Sequence, residues 1–330
     1  MKKGREIFVS VIIGVVIAIG FIFFRNHNQN KDETAQKKKD LSSIQVGYSP
    51  LMVNLPLMVA FQNDYFKNEG LNIVLQKMST TNNMRDAITS GKIKICSALG
   101  SEMFFENNNM LPGNLYALYF NVLTKSRYQD GIVVKADSDI GTIEQLNGKS
   151  IGCYPASTVK VYLDMIAQNK NLSYRQTLVA PAEAFQLLDK GQLDAIYAIE
   201  PQLSEAKKNP NYKIIDDALL AQYVLEEIPV GVCAINGEFY LKYPEVAEKI
   251  QTALKNAVDF IEKDQAEAIK LGEKFIGVTE GNLSGSNLPE WKSGCEINHE
   301  TLTKFLAFLH INNIVSSTVD HTNFIYCKEK

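Results

Sequence analysis

The chain has 330 residues, 45% of them hydrophobic and 22% charged, and its 34 Lys and Arg against 37 Asp and Glu give a formal net charge of −3. That length and composition suit one large or two medium globular domains with fully formed cores. The charge balance argues against a nucleic-acid binder, because no basic stripe is available to meet phosphates.

In chain order, residues 7–24 are almost wholly apolar and follow Lys2, Lys3 and Arg5. The run is about long enough to cross a bilayer as a helix. Ala18-Ile19-Gly20 offers a small-x-small cleavage site, but cutting there leaves Phe21-Ile22-Phe23-Phe24 as a greasy new terminus. No cysteine follows the run, so a lipoprotein site is absent. An uncleaved anchor fits these residues better than a cleaved signal, and residues 1–25 are assigned to one or the other. The basic N-terminal side would stay cytoplasmic. The body then lies on the periplasmic or extracellular face of the cytoplasmic membrane. Residues 26–42 form a polar, lysine-rich linker too hydrophilic to pack.

Globular sequence begins at Ser43 with a strand. Asn54 caps a helix with Pro56 in its first turn, and the segment ends at Glu69-Gly70. A strand over 71–75 and a helix over 82–90 follow, then a strand, then a helix opened by Gly100-Ser101-Glu102. Further strands are predicted over 115–122, 130–135, 151–154, 178–180, 213–215 and 230–235. Helices are predicted over 157–169, 181–189, 244–263 and 264–275, with another opened by Glu200-Pro201. Residues 278–298 are Gly/Ser/Asn-rich and read as loop. Residues 299–313 read as a helix with Leu302, Phe305, Leu306 and Leu309 on one apolar face. This alternation implies an α/β protein with a mostly parallel sheet in each of two lobes.

A doubled pattern supports two lobes. Ala87-Ile88-Thr89-Ser90-Gly91-Lys92-Ile93-Lys94-Ile95-Cys96-Ser97-Ala98 is echoed by Leu187-Leu188-Asp189-Lys190-Gly191-Gln192-Leu193-Asp194-Ala195-Ile196-Tyr197-Ala198. Each copy reads as a helix end, a glycine stop in the left-handed conformation, and a buried strand. Upstream, the segment around Gly47-Tyr48-Ser49-Pro50 is similar to that around Gly152-Cys153-Tyr154-Pro155.

The five cysteines divide by surroundings. Cys96, Cys153 and Cys233 sit in strand-like apolar runs, where a free cysteine acts as a small hydrophobe. Cys295 and Cys327 lie in the polar C-terminal stretch and are the candidate disulfide pair of an exported chain. No cysteine or histidine spacing suits zinc, so neither metal nor other cofactor is expected.

Several ordered motifs point to a family. Val46-Gly47-Tyr48, Asn54-Leu55-Pro56-Leu57 and Tyr65-Phe66-Lys67-Asn68-Glu69-Gly70-Leu71 open the match. Asp137-Ser138-Asp139-Ile140 with Leu146-Asn147-Gly148-Lys149, and Gly191-Gln192-Leu193-Asp194-Ala195 with Glu200-Pro201, continue it. Over roughly 44–268 the chain resembles the substrate-binding proteins of ABC importers in the nitrate/sulfonate/taurine and thiamine-pyrimidine-precursor group. The resemblance implies a type II periplasmic-binding-protein fold, two lobes joined by two crossovers. The lobes are expected at 43–124 plus 230–330 and at 125–229, with hinges near 124–127 and 228–231. It also implies a small-molecule ligand and a partner ABC permease and ATPase rather than catalysis. Membrane attachment through the N-terminal helix is expected from residues 7–24 and departs from the family, whose members are usually lipid-anchored or freely periplasmic.

Ligands of parallel α/β sheets bind beyond the carboxyl ends of strands, at helix N-termini. Those ends supply Tyr48, Ser49, Asn54, Gly100, Ser101, Glu102, Tyr154, Ser157, Thr158 and Glu200 as candidate ligand-binding residues. Tyr119 joins Tyr48 and Tyr154 as a ring that could stack on a flat heterocycle, and Asn121 is a candidate amide contact. Glu102 and Glu200 occupy near-equivalent places after the two copies of the pattern. Two carboxylates in one cleft would repel a simple anion and suit a solute with amino or ring N–H donors. Each glutamate fits somewhat better a plain helix start facing water, favoured there by the helix dipole. Trp291 and His310 read as packing residues.

The expected function is delivery of a small polar organic solute (a sulfonate, an amino-sulfonate or a pyrimidine-like molecule) to a permease. Alternatives are a membrane-tethered ligand sensor and, on the same fold, a pyrimidine-synthase-like enzyme. The related synthases carry a cysteine-rich iron motif that this chain lacks, and its histidines all lie towards the chain's two ends.

Overall fold

The computed structural model describes residues 41–78, 80–155, 157–317 and 322–327. The anchor or signal segment at 1–25 and all but the last residues of the linker lie outside them. The chain divides into two units, Met1–Ile44 and Gln45–Lys330, and the second holds the elements described below.

The strands are β1 Ile44–Tyr48, β2 Ile73–Lys77, β3 Ile95–Gly100, β4 Leu115–Leu123, β5 Asp130–Lys135, β6 Ser150–Cys153, β7 Arg175–Leu178, β8 Ala195–Ile199, β9 Tyr212–Asp217, β10 Ile228–Asn236 and β11 Glu290–Ser293. The helices are α1 Leu55–Gln62, α2 Tyr65–Asn68, α3 Thr81–Thr89, α4 Ser101–Met110, α5 Ser157–Asn169 and α6 Pro181–Asp189. They continue as α7 Gln202–Lys208, α8 Leu219–Tyr223, α9 Gly237–Lys242, α10 Pro244–Lys263, α11 Gln265–Ile276 and α12 His299–Ile311.

Two open sheets result, one in the order β11-β4-β10-β3-β1-β2 and one in the order β7-β6-β8-β5-β9. The chain leaves the first sheet between β4 and β5 and returns between β9 and β10. Both sheets are mixed. Pairs β1–β3, β6–β7 and β6–β8 are parallel, because a helix carries the chain back between strands of each unit. The strands that enter a sheet from the other one, β5 and β10, run antiparallel to both of their neighbours. Strand β5 arrives from β4 with no helix between them and β10 arrives after the short α8, and the helix-strand alternation carries no sign of their reversed direction.

The two copies of the doubled pattern fold alike. Gly91 and Gly191 take φ of 71° and 69°, where a side chain would be strained. Their amides donate to Ile88 O and Leu188 O, each at 3.0 Å. Ile93 and Leu193 then donate back to Ala87 O and Leu187 O at 3.1 and 3.3 Å, turning the chain into β3 and β8.

The C-terminal region completes the first sheet. The predicted stripe of α12, Leu302, Phe305, Leu306 and Leu309, is buried throughout. Each such side chain contributes roughly 1.5–3 kcal/mol by removing apolar surface from water. Within the expected loop lies β11, which pairs antiparallel with β4 from Glu290↔Val122 to Ser293↔Tyr119. Four residues are too few for a periodic signal, so only the open edge of β4 reveals the strand. Beyond it Ile325 bridges Ala117, and Tyr326 N–H donates to Ala117 O at 2.8 Å. A disulfide joins Cys295 to Cys327. Gly294 permits this, since a Cβ there would sit 2.2 Å from Tyr326 O. Trp291 is buried and donates its indole N–H to Val53 O at 3.1 Å.

Candidate ligand-binding site

A cavity of about 200 Å³ opens where the strand ends of both sheets meet. From the first sheet come Ser49 after β1, Gly100 at the end of β3, Asn121 and Leu123 of β4, and Val230 and Gly231 of β10. From the second come Gln129, Asp130, Tyr154, Tyr197 and Glu200, with Tyr162 of α5 and Leu220 of α8. Leu51, Val53, Leu99, Val159 and Ile199 make much of the wall apolar.

Of the sequence candidates, Ser49, Gly100, Glu102, Asn121, Tyr154 and Glu200 face this cavity. Asn54 stands behind it: its amide donates to Ser49 O and Oγ at 2.8 and 3.0 Å, and its Oδ1 accepts from Ser97 Oγ. It holds the loop after β1 in place. Tyr48 packs edge-on against Phe275, with ring centroids 5.2 Å apart. Tyr119 lines a separate hollow of about 20 Å³ with Cys233 and Trp291, room for about one water. Ser101 is fully buried and its hydroxyl has no partner, but it does not line the cavity. Ser157 and Thr158 open α5, and their side chains lie outside the description.

The two glutamates differ in what occupies them. Glu102 folds back over the strand end, so that a Cβ on Gly100 would sit 2.4 Å from its Oε1. Glu200 is buried, and its carboxylate accepts from Ser204 N–H at 3.1 Å and Ser204 Oγ at 2.9 Å. It therefore braces the first turn of α7 from inside the protein. Burial raises its pKa, and the Ser204 bonds offset part of that rise.

Four polar side chains facing the cavity are nine-tenths or more buried and hold an atom with no hydrogen-bond partner: Asn121 Nδ2, Gln129 Nε2, Asp130 Oδ1 and Tyr162 OH. A buried polar group left unmade is costly, so their convergence on one space marks it as a place to be filled. Asp130 is strongly perturbed. Its Oδ2 accepts from Leu220 N–H at 3.1 Å and from Tyr197 OH at 3.3 Å, yet burial pushes its pKa up to about 7. Burial also raises the Tyr162 phenol well above its ordinary value, and the charge of Glu102 adds to the rise.

Sequence reasoning passed over Asp130, Gln129, Tyr162 and Tyr197. Asp130 carried a readable signal: a carboxylate opening the wholly apolar strand Gly131-Ile132-Val133-Val134. Tyr162 lies three residues after Val159, on the same inward stripe of α5.

Two sheets joined by two chain passages, with a partly apolar cavity at their strand ends, define the periplasmic-binding-protein class of fold. Within it, the chain belongs to the family described as NMT1/THI5 like, whose model matches residues 52–268. A curated relative is the 4-amino-5-hydroxymethyl-2-methylpyrimidine phosphate synthase THI13 of Saccharomyces cerevisiae, 22% identical over 240 residues and covering 68% of each chain. Among solved structures, the periplasmic aliphatic sulphonate binding protein SsuA of Escherichia coli superposes with a TM-score of 0.71 at 16% identity. That match covers 87% of this chain and 93% of the other. The alkanesulfonate-binding protein SsuA of Xanthomonas axonopodis pv. citri, bound to MOPS, gives 0.66 at 14% identity, covering 86% and 98%. These likenesses establish the fold.

Proposed function

We propose that this protein is an extracytoplasmic solute-binding protein of an ABC-type importer, taking a small polar organic solute into the cavity and delivering it to a permease. One observation carries the reading: four buried, unpartnered polar groups from three separate chain segments converge on an apolar-walled space. A ligand or water in that space would complete them. The fold shared with sulfonate-binding proteins and the apolar segment at 7–24 support transport at the outer face of the membrane, with that segment as anchor.

Closure of two lobes, 43–124 plus 230–330 against 125–229, would seal the solute from water. The first passage is a tight turn in which Thr124 and Arg127 exchange backbone hydrogen bonds of 3.0 and 3.2 Å. The Arg127 guanidinium grips the Glu262 carboxylate at 2.5 and 3.1 Å and donates to Leu288 O and Pro289 O. This gives the turn a fixed base on α10 about which the second sheet can rotate.

The name of the yeast relative favours a second reading, an enzyme of pyrimidine synthesis. Against it, burial pushes the Cys153 and Cys233 thiols up to about 11 and about 12, which suppresses the free thiolate that nucleophilic chemistry needs. Among the described residues no group of three His, Cys, Asp or Glu side chains is placed to hold a metal ion.

Titration calorimetry of the full-length protein with aminopyrimidines, alkanesulfonates and nitrate tests the reading, with chromatography of the recovered solute. Saturable one-to-one binding with the solute returned unchanged is expected. Turnover of a bound solute would shift the assignment to the enzyme.

Gly231 offers a sharper probe of the pocket. A Cβ there would meet Asn121 Nδ2 at 2.8 Å, while the nearest backbone atom, Leu99 O, is at 3.5 Å. Gly231→Ala should therefore displace the Asn121 amide and little else. Affinity is expected to fall roughly tenfold, the loss of one buried hydrogen bond, with the thermal midpoint nearly unchanged. Unaltered affinity would remove Asn121 from the site.

A further inference from the structure

We infer that the cavity selects its solute by charge and holds it as a cation: a small, flat organic molecule whose protonated N–H group meets Asp130 and whose acceptor edge faces Asn121 and Gln129. This rests on the solute-binding reading and narrows it.

The charge inventory is one-sided. Glu102, Asp130 and Glu200 all face the cavity, and no Lys, Arg or His does so among the described residues. Lys207, which acts on Glu200, is not part of the wall. An anionic solute would enter a mostly apolar space beside three carboxyl groups with only amide and hydroxyl donors to meet it. In a medium of low polarity such a charge is costly unless an opposite charge or several aimed N–H donors meet it, and three carboxyl groups add repulsion. A cation finds a partner in Asp130, which lines the cavity and whose buried Oδ1 has no hydrogen-bond partner.

The remaining open groups describe the rest of the solute. Asn121 Nδ2 and Gln129 Nε2 are donors, so each calls for an acceptor opposite it, which a carbonyl oxygen or an unprotonated ring nitrogen supplies without adding negative charge. Tyr162 OH can give or take. Leu99, Leu123, Ile199 and Val230 give the cavity an apolar lining, and Tyr154 adds an aromatic ring on which a flat body could stack. Gly100 and Gly231 keep two of the polar groups in position. A methyl at either glycine would collide with Glu102 or Asn121.

A matched series reads the selection directly. Benzamidinium, benzamide, benzoate and benzenesulfonate share one ring and differ in charge, and each is titrated against the full-length protein, Asp130→Asn and Glu102→Gln. Benzamidinium is expected to bind at least about tenfold more tightly than benzamide, as for a hydrogen bond that gains a full charge. Benzoate and benzenesulfonate are expected to bind more weakly than benzamide. Asp130→Asn should bring the benzamidinium-to-benzamide ratio to about threefold or less, and Glu102→Gln should lower it by a smaller factor. Benzoate or benzenesulfonate binding as tightly as benzamidinium would overturn charge selection and leave solute binding standing. So would a ratio unchanged in both variants. Failure of all four to bind at millimolar concentration would count against both readings.

Discussion

Replacing Asp130 with asparagine is expected to stabilise the protein above pH 7 by up to about 4 kcal/mol, and to flatten its pH dependence between about 4 and 7. The carboxyl group lies 1% exposed at the start of β5. Burial raises its pKa from 3.8 to about 7, and the charge of Asp217 on β9 adds to the rise. The N–H groups of Leu219 and Leu220 on α8 and the Tyr197 hydroxyl on β8 pull it down by a smaller amount. Within that window the folded protein holds a proton that the unfolded chain has released. Stability is therefore full below about pH 4, declines as pH rises, and has lost the whole contribution once pH exceeds the folded value.

Asparagine has no proton to lose. Its carbonyl can accept from Leu220 while its amide takes the place of Oδ1. Urea unfolding at pH 5 and pH 8 checks the claim: wild type should lose clearly more stability between them than Asp130→Asn, in which Glu200 still carries a raised pKa. A variant less stable than wild type at pH 8 would show that the carboxylate is well solvated or paired, contrary to this account. A group that weakens the fold at neutral pH invites a functional explanation, and perturbed carboxyls concentrate at such sites. The same substitution is thus expected to raise stability and weaken solute binding together.

The second large effect concerns the C-terminal region. Cys327→Ser, or reduction of wild type, is expected to cost roughly 3–4 kcal/mol, the loop-closure value for a bridge spanning 32 residues. The enclosed loop contains α12, whose buried stripe can dock only if the two ends of the segment stay on the sheet. Release of Cys327 frees the pairing of Ile325 and Tyr326 with Ala117 and loosens the edge on which β11 lies. The consequence reaches the cavity, because Trp291 of β11 holds Val53 by its carbonyl and Val53 forms part of the cavity wall. Reductant should therefore lower both the denaturation midpoint and the solute affinity of wild type. It should change neither in Cys327→Ser. Equal midpoints for oxidised and reduced wild type would sink the idea.

Much of the fold was legible because it follows from local rules. The span of β5 and the start of α10 follow from apolar runs, caps and prolines that act within a few residues. The glycine stops at Gly91 and Gly191 are legible for the same reason, and so is the apolar face of α12. The strand β11 escaped notice because its four residues become a strand only against β4. The direction of β5 and β10 escaped because antiparallel pairing leaves no mark on a buried apolar run.

The site was half legible. Placing candidates beyond strand ends found Ser49, Gly100, Glu102, Tyr154 and Glu200, since the topology of the fold dictates where strand ends converge. The same rule could not tell which neighbour turns inward. Tyr48 and Ser49 are adjacent, yet one ring packs on Phe275 and the other residue lines the cavity.

The sequence by itself determined most of the order of elements, the doubled helix-glycine-strand unit and the family, because all of these are written in patterns a few residues long. Only the tertiary structure decided that Asp130, Gln129, Asn121 and Tyr162 meet in one space with polar atoms left open. That meeting is a relation among side chains up to 41 residues apart, created when two sheets face each other. Burial, which sets both the open hydrogen bonds and the raised carboxyl, does not exist until they do.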